Sequence, residues 1–200
     1  MPNVVVIAGP NGAGKSTTAP DVLQKAFAMS GERFINADTI AADLQGSATG
    51  SVAFRAGRIM LDRMHERAGA GADFAFETTL ASRSFAPWLR NLQRGGYVLH
   101  LVYFWLPSAD LAVERVAERV RCGGHNVPEP VVRRRYDKSL ANFFNLYRPF
   151  ADSWLMLDNS RSTAPQAIAW RNAGGPVQIV KGSPWYTLRE RYEKDIFARR

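Results

Sequence analysis

The sequence predicts an α/β fold of three layers: a five-stranded, mainly parallel sheet with helices on both faces and a helical lid. Three observations carry that expectation. The apolar run Val4 to Ala8 leads straight into Gly9-Pro10-Asn11-Gly12-Ala13-Gly14-Lys15-Ser16, of the form G-x-x-x-x-G-K-[ST], and a helix-compatible segment follows. This is the strand–loop–helix setting that a phosphate-binding loop requires. Strand-like and helix-like segments then alternate along the chain, which favours parallel pairing through helical crossovers. The segment Tyr97 to Leu106 is almost wholly apolar, as a central parallel strand covered on both faces should be.

Taken in order, the first strand is Val4 to Ala8 and its helix runs from Lys15 to about Ala28, with Pro20 expected to bend or interrupt it. A short strand, Arg33 to Asn36, ends in Asn36-Ala37-Asp38. Thr39 to Asp43 reads as a helical turn and Gly46 to Gly50 as loop. A long helix follows over Val52 to Ala68, closed by Gly69-Ala70-Gly71. Phe74-Ala75-Phe76 is the third strand and passes at once into Glu77-Thr78-Thr79. The helix Phe85 to Arg94 stops at Gly95-Gly96, and Pro107 ends the next strand. Ser108 caps a helix over Ala109 to Arg121. After the loop Gly123 to Pro128, a second helix covers Glu129 to Leu146, with Pro130 tolerated in its first turn. Trp154 to Leu157 is the fifth strand. A short strand over Val177 to Val180 and an amphipathic helix over Trp185 to Phe197, with Leu188, Tyr192 and Ile196 on one face, make up the tail. One domain over residues 1–200 is expected, with the lid at about 109–146 and a C-terminal extension at about 161–200. Five parallel strands with a helical pair before the last is the plan of small phosphoryl-transfer kinases, a P-loop kinase-like fold.

Hydrophobic residues make up 46% and charged residues 22% of the chain, the balance of a soluble globular protein rather than a disordered or membrane one. The longest apolar run, Val98 to Leu106, is interrupted by His100 and is too short to span a bilayer. The start of the chain has no basic region and cleavage site, so no signal peptide is expected. The single cysteine, Cys122, has no internal partner, which fits a reducing cytoplasm. The net charge of +8 suits acidic ligands. No aromatic residues interleave with the arginine-rich stretch Arg115 to Arg135 in a nucleic-acid-binding pattern, so phosphorylated small molecules are favoured over nucleic acid.

In the loop, Asn11, Gly12, Ala13, Gly14, Lys15, Ser16 and Thr17 are the candidate ATP-binding residues. Backbone N–H groups curl around the anion, the following helix aims its positive end at it, Lys15 reaches the β- and γ-phosphates, and the Ser16 hydroxyl ligates Mg²⁺. Ligands of an open parallel sheet bind at the carboxyl ends of its strands. There Asp38 is the candidate general base for a hydroxyl acceptor; the competing reading is a helix cap or turn residue. Glu77 can hold an acceptor hydroxyl or a Mg²⁺-bound water, or be a solvated loop acid. Thr78, Thr79, Ser82 and Arg83 either grip a phosphorylated acceptor or start the next helix. Arg115, Arg119, Arg133, Arg134 and Arg135 flank the Gly123-Gly124 turn, where a closing lid places cations on the transferring phosphoryl group; some of them are solvated helix residues. His125 has no histidine or cysteine partner that would make a zinc site, and Cys122 has no partner that would make it a nucleophile.

The residues resemble the zeta-toxin family of phosphate-loop kinases, in its short branch that reads Gly-Pro-Asn-Gly-Ala-Gly-Lys-Ser-Thr. The resemblance rests on Gly9 to Thr17, Asn36-Ala37-Asp38, Phe76-Glu77-Thr78-Thr79-Leu80, Gly123 to Pro128 with Arg134-Arg135-Tyr136, and Asp158-Asn159-Ser160. It spans about Val4 to Ser160. It implies ATP-dependent phosphorylation of a small-molecule hydroxyl, that of UDP-N-acetylglucosamine in the best-known members. It implies Asp38 as base, Glu77 as the acceptor-positioning acid, Lys15 and Ser16 at the nucleotide, and Arg119 and Arg135 as the lid arginines. A small helical antitoxin over the ATP site is implied as a partner. Two other readings of the loop remain: an ATPase switch, for which no signature helix or acid-ended strand is found, and an RNA-binding or polynucleotide-phosphorylating protein, suggested by the charge.

Overall fold

The structure, a computed structural model, describes residues 1–44, 52–161 and 164–194. The loop expected at Gly46 to Gly50 and the end of the last helix, Ile196 and Phe197, lie outside the described residues. Seven strands form one sheet: β1 (Asn3–Ala8), β2 (Phe34–Ile35), β3 (Phe74–Thr78), β4 (Val98–Trp105), β5 (Ser153–Asp158), β6 (Gln166–Arg171) and β7 (Gln178–Ile179). Their order across the sheet is β2-β3-β1-β4-β5-β6-β7. The pairs from β2 to β5 are all parallel, while β6 runs antiparallel to β5 and β7 to β6. β1 lies between β3 and β4, with Val4 opposite both Phe74 and Leu99. Covered on both faces, it buries every residue from Val4 to Ala8, which is why it reads as an unbroken apolar run.

The helices are α1 (Lys15–Phe27), α2 (Ala37–Asp43), α3 (Val52–Gly69), α4 (Phe85–Arg94), α5 (Ala109–Arg121), α6 (Glu129–Asn142) and α7 (Gly182–Tyr192). α1 runs without the interruption that Pro20 could have caused. The ring sits early in the helix, where its missing N–H removes a single intrahelical bond. Ser108 caps α5 as expected, its Oγ accepting from Leu111 N at 3.1 Å. α5 buries Ala112 and Val116, four residues apart on one face. α6 passes into a π-helical turn over Phe143–Tyr147, which buries Phe143, Phe144 and Tyr147.

Two strands beyond the expected parallel five extend the sheet in the antiparallel sense. β6 was not anticipated: its two alanines weaken the strand signature, although Ile168 and Ala169 are fully buried. β7 falls within the expected 177–180, and α7 starts three residues earlier than expected, at Gly182. α7 docks through Trp185, whose ring stacks on Trp154 with centroids 5.3 Å apart. No described helix is long and apolar enough to cross a membrane.

The end of the sheet away from the loop holds a polar crossing. His100 Nε2 meets Asn3 Oδ1 at 3.0 Å and Nδ1 meets Ser153 Oγ at 2.7 Å. Asn3 in turn donates to Asp73. The neutral imidazole thus satisfies both neighbours, donating to Asn3 and accepting from Ser153. Burial pushes its pKa below the ordinary 6.5, against the opposing pull of Asp152 and Asp73. Well above that value both folded and unfolded chains hold the ring neutral. As pH falls through it the unfolded chain takes up the proton first, so stability falls with pH. Denaturation curves from about pH 7.5 to pH 5.5, bracketing the ordinary histidine pKa, are expected to show the wild-type protein losing stability relative to His100→Gln. Parallel pH profiles would show that His100 titrates alike in both states.

Candidate active site

The carboxyl ends of β1, β2 and β3 converge on one cleft of about 830 Å³. The loop leaves β1 at Gly9, whose φ of 144° and close passage against β4 both demand glycine: an added Cβ would lie 2.3 Å from the Phe104 carbonyl oxygen. Asn11, Gly12, Ala13, Gly14, Lys15, Ser16 and Thr17, the expected nucleotide residues, all line the cleft. Lys15 opens α1 and is buried, with 5% exposure. Its Nζ donates to the carbonyls of Gly9 and Pro10, each at 2.9 Å, and lies 3.5 Å from Glu77 Oε1. Burial lowers its pKa, and the neighbouring Glu77 carboxylate offsets part of that effect.

At the heart of the cleft is Asn36, at the end of β2 and buried. Its amide Nδ2 donates to Ser16 Oγ at 3.1 Å and to Glu77 Oε2 at 2.8 Å. Its Oδ1 accepts from Asp38 N at 2.7 Å and so caps α2. Ser16 Oγ also donates to Glu77 Oε2, at 2.8 Å. Asn36, rather than Asp38, is therefore the helix cap, and the Asp38 carboxylate is left to face the cleft.

The lid closes the other side. Arg119 Nη1 lies 3.5 Å from Asp38 Oδ2, and its Nη2 donates to the His125 carbonyl at 2.8 Å. Gly124 packs so tightly on this arginine that a Cβ there would meet Arg119 Cγ at 2.5 Å. Arg135 also lines the cleft. With Lys15 and Arg115, four cations face three carboxylates, those of Asp38, Glu77 and Glu118, which suits a multiply charged anion.

Glu77 stands against Lys15 and Ser16 rather than in a separate acceptor pocket. Thr78 lines the cleft, and its Oγ1 accepts from Leu80 N at 3.1 Å. There the backbone turns: Leu80 is buried with φ of 59°, a left-handed conformation rare for a leucine. The segment beyond it is fastened to the lid's base. Ser139 donates to Thr79 O at 2.6 Å, Asn142 to Leu80 O at 2.8 Å and Tyr147 to Ser82 O at 2.8 Å. Arg83 is carried away with it, exposed and outside the cleft, so the structure does not bring this expected acceptor residue to the site.

Two residues already in view in the sequence take structural roles that it did not assign. Asn159, buried at the end of β5, donates from Nδ2 to Ala13 O at 2.8 Å. It fills the space above Gly14, which has φ of 71°; a Cβ on Gly14 would sit 2.6 Å from that amide nitrogen. Arg115 donates to the carbonyls of Asn159 and Ser160 at 2.7 and 2.8 Å, clamping the β5 end to α5. Asn11 Oδ1 is buried beside the cleft with no partner. Among the described residues no cluster of three His, Cys, Asp or Glu side chains is placed to hold a metal by itself. Ser16 Oγ and Glu77 Oε2, 2.8 Å apart, match adjacent positions around Mg²⁺: metal–oxygen distances of about 2.0–2.1 Å in an octahedron separate neighbouring ligands by about 2.8–3.0 Å.

A family model described as an AAA domain matches residues 4–146. An uncharacterized protein of Haemophilus influenzae is 27% identical over 129 residues, covering 64% of this chain and 88% of its own. Among solved structures, the AvrRxo1-ORF1:AvrRxo1-ORF2 complex with ATP is similar with a TM-score of 0.69 at 16% identity. That match covers 94% of this chain and 63% of the other, so this chain spans less than two thirds of that protein's length. The PezAT toxin–antitoxin system of Streptococcus pneumoniae gives a TM-score of 0.60 at 13% identity, covering 96% of this chain and 78% of that one. At such identities the likeness is one of fold.

Replacing Asn159 by alanine leaves the Ala13 carbonyl without its donor and opens the space above Gly14. Asn159→Ala is expected to cost about 1–3 kcal/mol of stability and to weaken ATP binding by roughly tenfold, about 1.4 kcal/mol. Denaturation and titration calorimetry measure the two effects. Unchanged ATP affinity would show that the anchor does not shape the loop.

Proposed function

The chain belongs to this AAA-domain family, and on that footing we propose that it is an ATP-dependent phosphotransferase that places the γ-phosphoryl group on a hydroxyl of a small molecule. One observation carries the reading: a phosphate-binding loop, a carboxylate free of the capping role, and two lid arginines face each other across a single cleft. The cleft is of the size that takes small molecules, which favours a metabolite over a polynucleotide.

The loop's N–H groups and Lys15 bind the triphosphate. Ser16 and Glu77 would hold Mg²⁺, which supplies positive charge against the phosphates. Glu77 would then meet the metal directly, which differs from both expected roles, holding the acceptor hydroxyl or a Mg²⁺-bound water. Asp38, on the first turn of α2, accepts the proton of the acceptor hydroxyl as the oxygen attacks. Arg119 and Arg135 offset the charge on the phosphoryl group. The Arg119–Asp38 ion pair does not oppose this, since its side chains are 36% and 58% exposed. Such a pair is worth about 0–1 kcal/mol, whereas a hydrogen bond to a charged group is worth about 1.5–3 kcal/mol. Arg119 can therefore exchange the carboxylate for phosphate, and the exchange leaves Asp38 unpaired to act as base.

The sequence resemblance supports a finer reading in which the acceptor is a UDP-amino sugar and a small helical antitoxin covers the ATP site. Identification of the labelled product by mass, after incubation of γ-labelled ATP with a cell metabolite extract, tests the acceptor.

Asp38→Asn is expected to lower transfer by about 10²–10⁴-fold while ATP still binds. Transfer at the wild-type rate would remove Asp38 from the mechanism. Arg119→Ala is expected to reduce the maximal rate more than it weakens ATP binding, because its contact with phosphate forms as the lid closes. A loss confined to ATP affinity would make it a ground-state ligand.

A further inference from the structure

A second concavity of about 480 Å³ opens between α3 and α4, beside the cleft. Ala53, at the start of α3, lines both. The groove is walled by Phe54, Leu61 and Phe85 and ends at His65 and Trp88, whose rings stack with centroids 5.4 Å apart and planes within 6°. Phe54 is 65% exposed and Leu61 43%, although both are large and apolar. Polar residues on the lining are few: Arg58, His65 and Ser84.

Gly57 is the telling residue. It lies inside α3, where glycine is disfavoured relative to alanine. Its φ is ordinary for a helix, so the backbone does not require glycine. A Cβ built on it would meet nothing within 4 Å. Local packing does not require glycine either, and the open space in front of it belongs to the groove. From Ala53 to His65 the helix rises about 18 Å, so the groove leads well away from the phosphates.

We propose that the α3–α4 groove is the acceptor's second subsite and takes a planar, largely apolar ring joined through a polar linker to the hydroxyl that is phosphorylated. The proposal rests on the phosphotransferase reading of the cleft and extends it. The groove shares Ala53 with the cleft, has the volume of a small-molecule pocket, and combines aromatic walls with a few polar residues, the composition of sites that bind ring systems. Arg58 suits an anionic substituent on the ring or linker. A compact sugar seated at Asp38 would leave the groove unfilled.

Gly57→Leu fills the groove without touching the loop. Three measurements on the full chain test the proposal: ATP affinity, binding of 8-anilinonaphthalene-1-sulfonate as a planar anionic probe, and label transfer from γ-labelled ATP to a cell metabolite extract. The expected result is ATP affinity within twofold of wild type, with probe binding and transfer each lowered tenfold or more. Gly57→Ala is expected to fall between the two. If Gly57→Leu does not fold, Leu61→Glu at an exposed position is expected to weaken probe binding and transfer in the same way. Undiminished transfer by Gly57→Leu, with the wild-type protein active, overturns the subsite and leaves the kinase reading intact. No transfer by the wild-type protein overturns the kinase reading, and the subsite falls with it. A concentration-dependent dimer that Gly57→Leu dissociates would assign the groove to a second copy of the chain and also overturn the proposal.

Discussion

The site depends on one buried amide. The Asn36 side chain has two N–H donors and one carbonyl oxygen, and each is engaged: with Ser16, Glu77 and the backbone of Asp38. These partners come from the phosphate-binding loop, the end of β3 and the first turn of α2. A buried amide with a missing partner is costly, so the arrangement is all-or-none. It fixes the distance between the residue expected to meet the metal and the residue expected to take the proton. The sheet order makes this possible. β3 lies between β2 and β1, and a side chain at the end of β2 can reach the loop after β1 only by passing the end of β3, where Glu77 stands.

The second support comes from the C-terminal part of the chain. Arg148 follows the π-helical turn and lies over the rings of Phe144, Trp154 and Trp185, at 5.1, 5.8 and 5.6 Å, while pairing with Glu193. Burial lowers the pKa of this guanidinium, and Glu193 opposes that. Lys181 pairs with Asp158 at the end of β5, one residue before Asn159. The extension therefore holds both the root of the lid helices and the strand that grips the loop. The same lid base also pins Thr79 to Ser82 by three side-chain donors.

Legibility followed the range of the interactions. The loop, the strand before it and the helix after it are contiguous, and their roles follow from local backbone requirements, so sequence sufficed. Asp38 and Glu77 were readable as strand-end carboxylates. The capping role of Asn36 was not, although the residue was in view, because its partners belong to strands whose order the sequence does not state. Asn159 lies 146 residues from the carbonyl it holds. Arg115 and Arg119 share a helix face, and nothing local says that one is tied to carbonyls while the other meets Asp38. Arg83 was misplaced because the left-handed turn at Leu80 is not written in a glycine. The antiparallel β6 escaped because Gln166-Ala167-Ile168-Ala169 has too little β-branched character to announce a strand.

The lid arginines can be sorted by what they would have to give up. Both terminal nitrogens of Arg115 donate to backbone carbonyls, at 2.7 and 2.8 Å, so turning to a ligand would strip two acceptors of their partner. Arg119 is held on one side by a carbonyl at 2.8 Å and on the other by a long, exposed contact with Asp38 at 3.5 Å. Its second contact is the weaker and the only one made to a side chain that itself faces the cleft. Arg133 is engaged outside the cleft, with Asp110 and Glu129. Of these three, Arg119 is therefore the cation whose change of partner is cheapest, and the partner it leaves is the candidate base. The contact that now neutralises Asp38 is the one that an incoming phosphate would take away, so the same event that brings charge to the lid frees the carboxylate below it.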